Sequence, residues 1–170
     1  ERFDRGLPIP VEAVGSYRAI RAILEGLAGK INGEHAGLDW VPIRYVNQGY
    51  SRDMLAGVYR ACRVGLVTPL RDGMNLVAKE YIASQDPEDP GVLVLSRFAG
   101  AAEQMTEALL VNPHSAEELS DAIGRALKMP LEERKRRWRA LMDGVQQQDV
   151  AWWLNDFTRQ LGNAGAAPPA

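Results

Sequence analysis

Pro90-Gly91-Val92-Leu93-Val94-Leu95-Ser96 is the stretch that decides the fold. Four apolar residues follow one another with no polar residue between them. A strand with one wet face alternates apolar and polar side chains, whereas an unbroken run of strand length marks a strand buried on both faces, as in parallel sheets. Gln85 to Gly91, with Pro87 and Pro90, reads as the connector leading into it. Upstream, Val64-Gly65-Leu66-Val67 is a second short strand, ended by Pro69, and downstream Ala108-Leu109-Leu110-Val111 is another, ended by Pro113. Val41-Pro42-Ile43-Arg44-Tyr45-Val46 reads as a fourth, because Val41, Ile43 and Tyr45 alternate against Pro42 and Arg44. Pro42 stands near its start, where no ladder donor is missed.

Helical spacing fills the intervals. From Glu12 the positions Val14, Tyr17, Ile20, Ile23, Leu24, Leu27 and Ile31 recur at steps of three and four, with Asn32-Gly33 as the expected stop. Ser51 caps a second helix with Met54, Leu55, Val58, Tyr59 and Cys62 on its apolar face. A third spans about Asn75 to Ser84. Ser115-Ala116-Glu117-Glu118 has the capping-box spacing, opening a helix to Met129. Pro130 suits the first turn of another, to about Val145. Asp149 caps the last, which carries Trp152, Trp153, Phe157 and Leu161 and is expected to stop at Gly162. Residues 1–10 read as an irregular lead-in and 163–170 as a disordered tail. The alternation predicts an α/β fold: a Rossmann-like parallel sheet with flanking helices and a helical C-terminus, filling residues 1–162 as one partial domain. Four strands, and a first residue that is Glu rather than Met, raise the expectation that further strands precede this chain.

Composition narrows the function. The 170 residues are 46% hydrophobic and 25% charged, within the range of ordinary globular proteins. Twenty Lys and Arg against 22 Asp and Glu give a net charge of -2, so no global field draws the chain to nucleic acid or anionic lipid. No apolar run approaches the roughly 18 residues of a membrane span. The single cysteine, Cys62, can form no internal disulfide, and a reducing compartment, the cytoplasm, is the expectation. The run Glu132-Glu133-Arg134-Lys135-Arg136-Arg137-Trp138-Arg139 is read as a solvated helix face. His35 and His114 are far apart and receive no role. Neither metal nor cofactor is expected. Trp152 and Trp153 are read as packing residues. No P-loop, GxGxxG, HExxH or GxSxG motif is present.

In open α/β sheets ligands gather at the carboxyl ends of the strands. The richest such junction runs from Thr68 to Tyr81. Gly73 is expected to let the backbone turn and approach a ligand, and the amides of Asn75, Leu76 and Val77 to meet an anion such as a diphosphate. Glu80, further along the helix, can accept hydrogen bonds from the vicinal hydroxyls of a ribose. On spacing alone, a capped helix start with a surface glutamate accounts for the same residues.

The run Gly65-Leu66-Val67-Thr68-Pro69-Leu70-Arg71-Asp72-Gly73-Met74-Asn75-Leu76-Val77-Ala78-Lys79-Glu80-Tyr81 resembles the donor-site signature of the trehalose-6-phosphate synthases (UDP-forming), retaining glycosyltransferases of the GT-B fold. The likeness continues through Pro90 to Ser96, Phe98-Ala99-Gly100-Ala101-Ala102 and Leu110-Val111-Asn112-Pro113, and upstream through Gly29 to Gly33 and Tyr45 to Gln48. It covers about residues 15–160, the C-terminal, donor-binding half of such an enzyme. The resemblance implies transfer of glucose from UDP-glucose to glucose 6-phosphate with retention, giving trehalose 6-phosphate and UDP. It implies Leu76, Val77, Ala78, Lys79 and Glu80 on the nucleotide, with helix-start amides on the diphosphate and the Glu80 carboxylate on the ribose. It implies Asp72, Met74 and Asn75 on the transferred glucose, with Gly73 between them in the substrate-binding loop and Asp72 the candidate catalytic residue. Tyr50 matches a position whose main chain reads the uracil edge. No covalent protein nucleophile is implied, and the leaving diphosphate is stabilised electrostatically.

Departures from the pattern qualify this. Arg2-Phe3-Asp4-Arg5-Gly6-Leu7-Pro8 keeps the flanks of a family loop that supplies an Arg and a Lys, but lacks its Tyr-Ser-Lys; Arg2 or Arg5 would have to substitute. Where an acceptor-phosphate Arg is expected the chain has Pro10-Val11-Glu12-Ala13. The acceptor pocket would belong to a domain outside this chain, leaving the chain inactive alone. Two alternatives stay open: a non-catalytic nucleotide-sugar-binding or regulatory module, and a transferase with another phosphorylated acceptor. A homo-oligomer is also left open; nucleic acid and membrane are not expected partners.

Overall fold

The computed structural model describes residues 15–165 and divides after Gly49 into two units. In the first, α1 runs Gly15–His35. Its expected start at Glu12, like the lead-in 1–10, lies outside the described residues. The expected stop at Asn32-Gly33 does not occur; the helix continues to His35. Asn32 acts at longer range instead, its Nδ2 donating to the Ile43 carbonyl at 2.8 Å and its Oδ1 accepting from the Ile43 N–H at 2.9 Å. With its backbone engaged in that way, Val41–Val46 forms no strand, against the expectation from its alternation. A strand needs a neighbour for its N–H and C=O groups, and at Ile43 one side-chain amide takes both.

The second unit holds the sheet: β1 (Val64–Val67), β2 (Val92–Ser96) and β3 (Leu109–Val111), parallel in the order β1-β2-β3. Val64 lies opposite Val92, and Val94 opposite Leu109. As its run of apolar residues predicts, β2 is central and buried at every position. Its period of two divides the core. Leu93 and Leu95 face Ala78, Tyr81 and Ile82 of α3 (Leu76–Ser84) and Leu141 of α5 (Leu131–Gln147), while Val92 and Val94 face Ala122 and Ala126 of α4 (Ala116–Lys128). The chain is thus an α/β protein with helices on both faces of a parallel, Rossmann-like sheet.

The expected caps form. Ser51 Oγ accepts from Met54 N–H at the start of α2 (Arg52–Ala61), Ser115 Oγ from Glu118 N–H at α4, and Asp149 Oδ1 from Trp152 N–H at α6 (Val150–Gly165). Pro130 sits at the N-cap of α5 rather than inside its first turn. Helix α6 passes Gly162 and ends at Gly165; the rest of the expected tail lies outside the described residues. No helix of the described residues is long and apolar enough to cross a membrane.

The basic run on α5 is not simply a solvated face. Arg134 is buried, donating to Asp89 at 2.6 Å and to the Pro90 carbonyl. Lys135 pairs with Glu88, and Arg137 donates to Glu133 and to the Glu107 carbonyl. Trp138 Nε1 donates to the Ile82 carbonyl. Arg134, Trp138 and Leu141 follow steps of four and three, so one stripe of the run faces inward. Arg136 and Arg139 do remain exposed.

Candidate functional site

The loop from Thr68 to Asn75 leaves the carboxyl end of β1 and enters α3. Beyond β2, Phe98 to Glu103 passes beside it and includes a 3-10 helix, Gly100–Glu103. Three backbone bonds join the two segments: Asp72 N–H to Phe98 O at 3.2 Å, Gly100 N–H to Asp72 O at 3.1 Å, and Ala101 N–H to Met74 O at 2.8 Å. Asp72 and Ala99 pair there as an isolated parallel bridge.

Asn75 turns the loop into the helix. Its φ of 70° is left-handed, a conformation that Asn tolerates better than most residues. Gly73 was the expected turning residue, yet it has no positive φ; the turn is at Asn75 instead. What Gly73 contributes is space, since a Cβ there would meet nothing within 4 Å. Asn75 Oδ1 accepts from Ala78 N–H, and Asn75 Nδ2 donates to Asp72 Oδ2, each at 2.9 Å. One amide thus caps the helix and orients the half-buried Asp72 carboxylate. Ala78, fully buried and with its N–H occupied by this cap, offers a ligand neither side chain nor amide. The N–H groups of Leu76 and Val77 meet no acceptor among the described residues, the usual state of a helix's first turn.

Lys79 Nζ donates to Gln104 Oε1 at 2.9 Å. Glu80 is exposed, and its carboxylate makes no hydrogen bond or ion pair among the described residues. A cleft of about 530 Å³ opens beside this region, lined by Gly73, Met74, Leu76 and Lys79, by Gly100 and Gln104, and by the α5–α6 junction with Trp152 and Trp153. Asp72, Asn75, Val77 and Glu80 stand outside its lining. Trp152 and Trp153 are 38% and 48% exposed, so neither is in the core; Trp153 stacks on Phe157 with ring centroids 5.3 Å apart.

Tyr50 directly precedes the α2 cap. The C-terminal ends of α2 and α3 are tied together, since Gln85 Nε2 donates to the Tyr59 carbonyl at 2.7 Å and Arg60 pairs with Asp86. Two packed helices of similar length joined at their C-termini have their N-termini at one end, so Tyr50 and Asn75 share the carboxyl edge of the sheet. Gly100, Gln104 and the α5–α6 junction are contributors that the sequence reading missed. A glycine among alanines just past a strand's carboxyl end was the available signal.

The glycosyltransferase family 20 model matches residues 8–163. The chain belongs to that family. The curated trehalose-6-phosphate synthase of Sinorhizobium fredii is 55% identical over 148 residues, covering 87% of this chain and 32% of that protein. Among solved structures, the alpha,alpha-trehalose-phosphate synthase (UDP-forming) of Burkholderia xenovorans, in complex with glucose-6-phosphate, superposes with a TM-score of 0.86 at 51% identity. The match covers 90% of this chain and 34% of that one. The E. coli protein bound with UDP-2-fluoro glucose gives 0.85 at 49% identity, over 89% and 34% of the two chains. This family-20 chain therefore spans about a third of the length of the relatives it matches.

Proposed function

We propose that residues 1–162 form the donor-binding part of a cytoplasmic trehalose-6-phosphate synthase, which transfers glucose from UDP-glucose to glucose 6-phosphate with retention of configuration. The observation that carries this reading is the pair of unengaged amides, Leu76 and Val77, at the carboxyl edge of a parallel sheet beside an oriented Asp72. In the reaction the bond between the glucosyl carbon and the diphosphate oxygen breaks, a glycosidic bond forms to the acceptor hydroxyl oxygen, and the proton of that hydroxyl passes to the departing diphosphate as UDP leaves. Charge grows on the departing diphosphate. Amides at a helix start are directed at it and reorganise little during the step.

Within this reading Leu76, Val77 and Lys79 hold the diphosphate, Glu80 takes the ribose hydroxyls, and the Tyr50 main chain meets the base. Asp72, Gly73, Met74 and Asn75 surround the glucosyl group, with Asp72 as the catalytic residue. Glucose 6-phosphate is bound through a part of the longer protein. Similarity to proteins solved with glucose-6-phosphate and with UDP-2-fluoro glucose supports both substrates. A second reading, a nucleotide-sugar-binding module without turnover, draws on Arg2 to Pro8, which lacks the family's Tyr-Ser-Lys.

Calorimetric titration with UDP and UDP-glucose tests the site. Saturable binding, weakened about tenfold or more in Glu80→Ala through loss of charge-assisted hydrogen bonds, is the expected result. A folded chain that binds neither ligand would overturn it.

A further inference from the structure

We propose that Gly100 is a positioning residue for the glucosyl end of the donor: having no side chain, it lets the 98–101 segment bolt the 72–74 loop in place. The proposal rests on the nucleotide-sugar reading above. A Cβ on Gly100 would fall 1.8 Å from the Gly73 carbonyl oxygen and 2.9 Å from its carbonyl carbon. The obstacle is backbone on both sides, so no rotamer change relieves it. Ala99 and Ala101, which flank Gly100, are buried at 2% and 1% exposure and anchor the bolt in the core. The 72–74 loop has the freer side, since a Cβ on Gly73 would meet nothing within 4 Å. Any side chain at position 100 therefore displaces the loop, by roughly 1.5 Å to reach a tolerable contact. Two of the three joining bonds, from Gly100 N–H and Ala101 N–H, would lengthen with it.

The loop and the helix start respond differently. Asp72 and Met74, both joined to the bolt, sit on the side assigned to the glucosyl group. The Leu76 and Val77 amides belong to α3, which is held independently by Ala78, Tyr81 and Ile82 in the core. Gly100→Ala should therefore weaken UDP-glucose about tenfold while changing UDP affinity less than about twofold. A purely structural glycine would not alter that ratio. Gly65→Ala is the comparison, since its Cβ would fall 2.8 Å from the Tyr81 ring and meets no atom of the 72–74 loop among its nearest neighbours, and it should lower Tm with the ratio unchanged. Equal weakening of both ligands by Gly100→Ala, or none in a folded variant, overturns the proposal.

Amide hydrogen exchange supplies a test that needs no ligand. In Gly100→Ala the amides at positions 100 and 101 should exchange about tenfold faster while Val94 is unchanged, and unaltered exchange overturns the bolt. Should wild-type chain bind neither UDP nor UDP-glucose, the nucleotide-sugar reading fails, and with it Gly100's part in donor binding. If Gly100→Ala does not fold, exchange in the wild type decides: UDP-glucose should protect Gly100 and Ala101 more than UDP does, and equal protection overturns the proposal.

Discussion

Tyr81 sits across the strand that leads to the site. Its hydroxyl donates to the Cys62 carbonyl at 3.0 Å, and a Cβ on Gly91 would fall 2.1 Å from that hydroxyl. Burial, the largest cause, raises its pKa above the ordinary tyrosine value, with the neighbouring Cys62 adding to the rise. The unfolded chain ionises Tyr81 near pH 10, whereas the folded chain keeps it neutral. Its contribution is therefore complete below about pH 10 and lost as pH rises through the higher folded value. Tyr81→Phe should cost about 1 kcal/mol in urea unfolding at neutral pH and show a shallower fall in Tm above pH 10. Asn75 offers a second test at this scale, because φ of 70° and the cap to Ala78 impose separate demands. Asn75→Ala loses the cap and strains the backbone, for about 1–2 kcal/mol; Asn75→Gly should cost less in thermal unfolding, since glycine adopts that φ freely.

Among the elements, α5 carries the most side-chain ties to its surroundings. Asp89 receives Arg134 at 2.6 Å and Arg63 at 3.4 Å, and the Arg134 hydrogen bond holds its carboxyl below the usual carboxylate range. A depressed folded pKa means a contribution present above the ordinary value of about 4 and lost as pH falls through the folded one. Melts followed by circular dichroism should show a steeper fall in Tm below pH 4 for wild type than for Asp89→Asn; equal slopes would mean the pair adds nothing. What the sequence disclosed follows the same division by range. The caps at Ser51 and Ser115 are local and were legible, as was β2, whose four apolar residues need no distant information. Arg134 was misread because counting charges along a run ignores which stripe of the helix each one occupies. Val41–Val46 has the alternation of a strand, but pairing is a tertiary fact, and Asn32 occupies the Ile43 backbone. The turn at Asn75 was masked by the neighbouring Gly73, the commoner turning residue, and the approach of Gly100 to Gly73 depends on segments about 25 residues apart meeting, which no periodicity reports.

For the whole chain, binding and turnover are separate demands. Holding a nucleoside diphosphate needs a helix start and a few hydrogen-bonding side chains, and the proposed reading draws those that this chain offers from residues 50–80. Transfer also needs the acceptor hydroxyl held against the glucosyl carbon, and such alignment accounts for several kcal/mol of a bimolecular barrier. The relatives solved with glucose-6-phosphate and with UDP-2-fluoro glucose are about three times as long as the matched segment. Within this chain, Arg2 to Pro8 lacks the Tyr-Ser-Lys of the family loop, and Pro10 to Ala13 has no cation for an acceptor phosphate. Each missing charge-assisted bond to a phosphate forfeits about 1.5–3 kcal/mol. The purified 170 residues, given UDP-glucose and glucose 6-phosphate together, should therefore bind the donor yet release no UDP and form no trehalose 6-phosphate. A coupled assay for UDP, with chromatography of the sugar phosphates, reads this directly. Steady formation of trehalose 6-phosphate would show that residues 1–170 assemble an acceptor site of their own. Donor binding without turnover would leave the Leu76 and Val77 amides able to hold a diphosphate that nothing nearby is placed to displace.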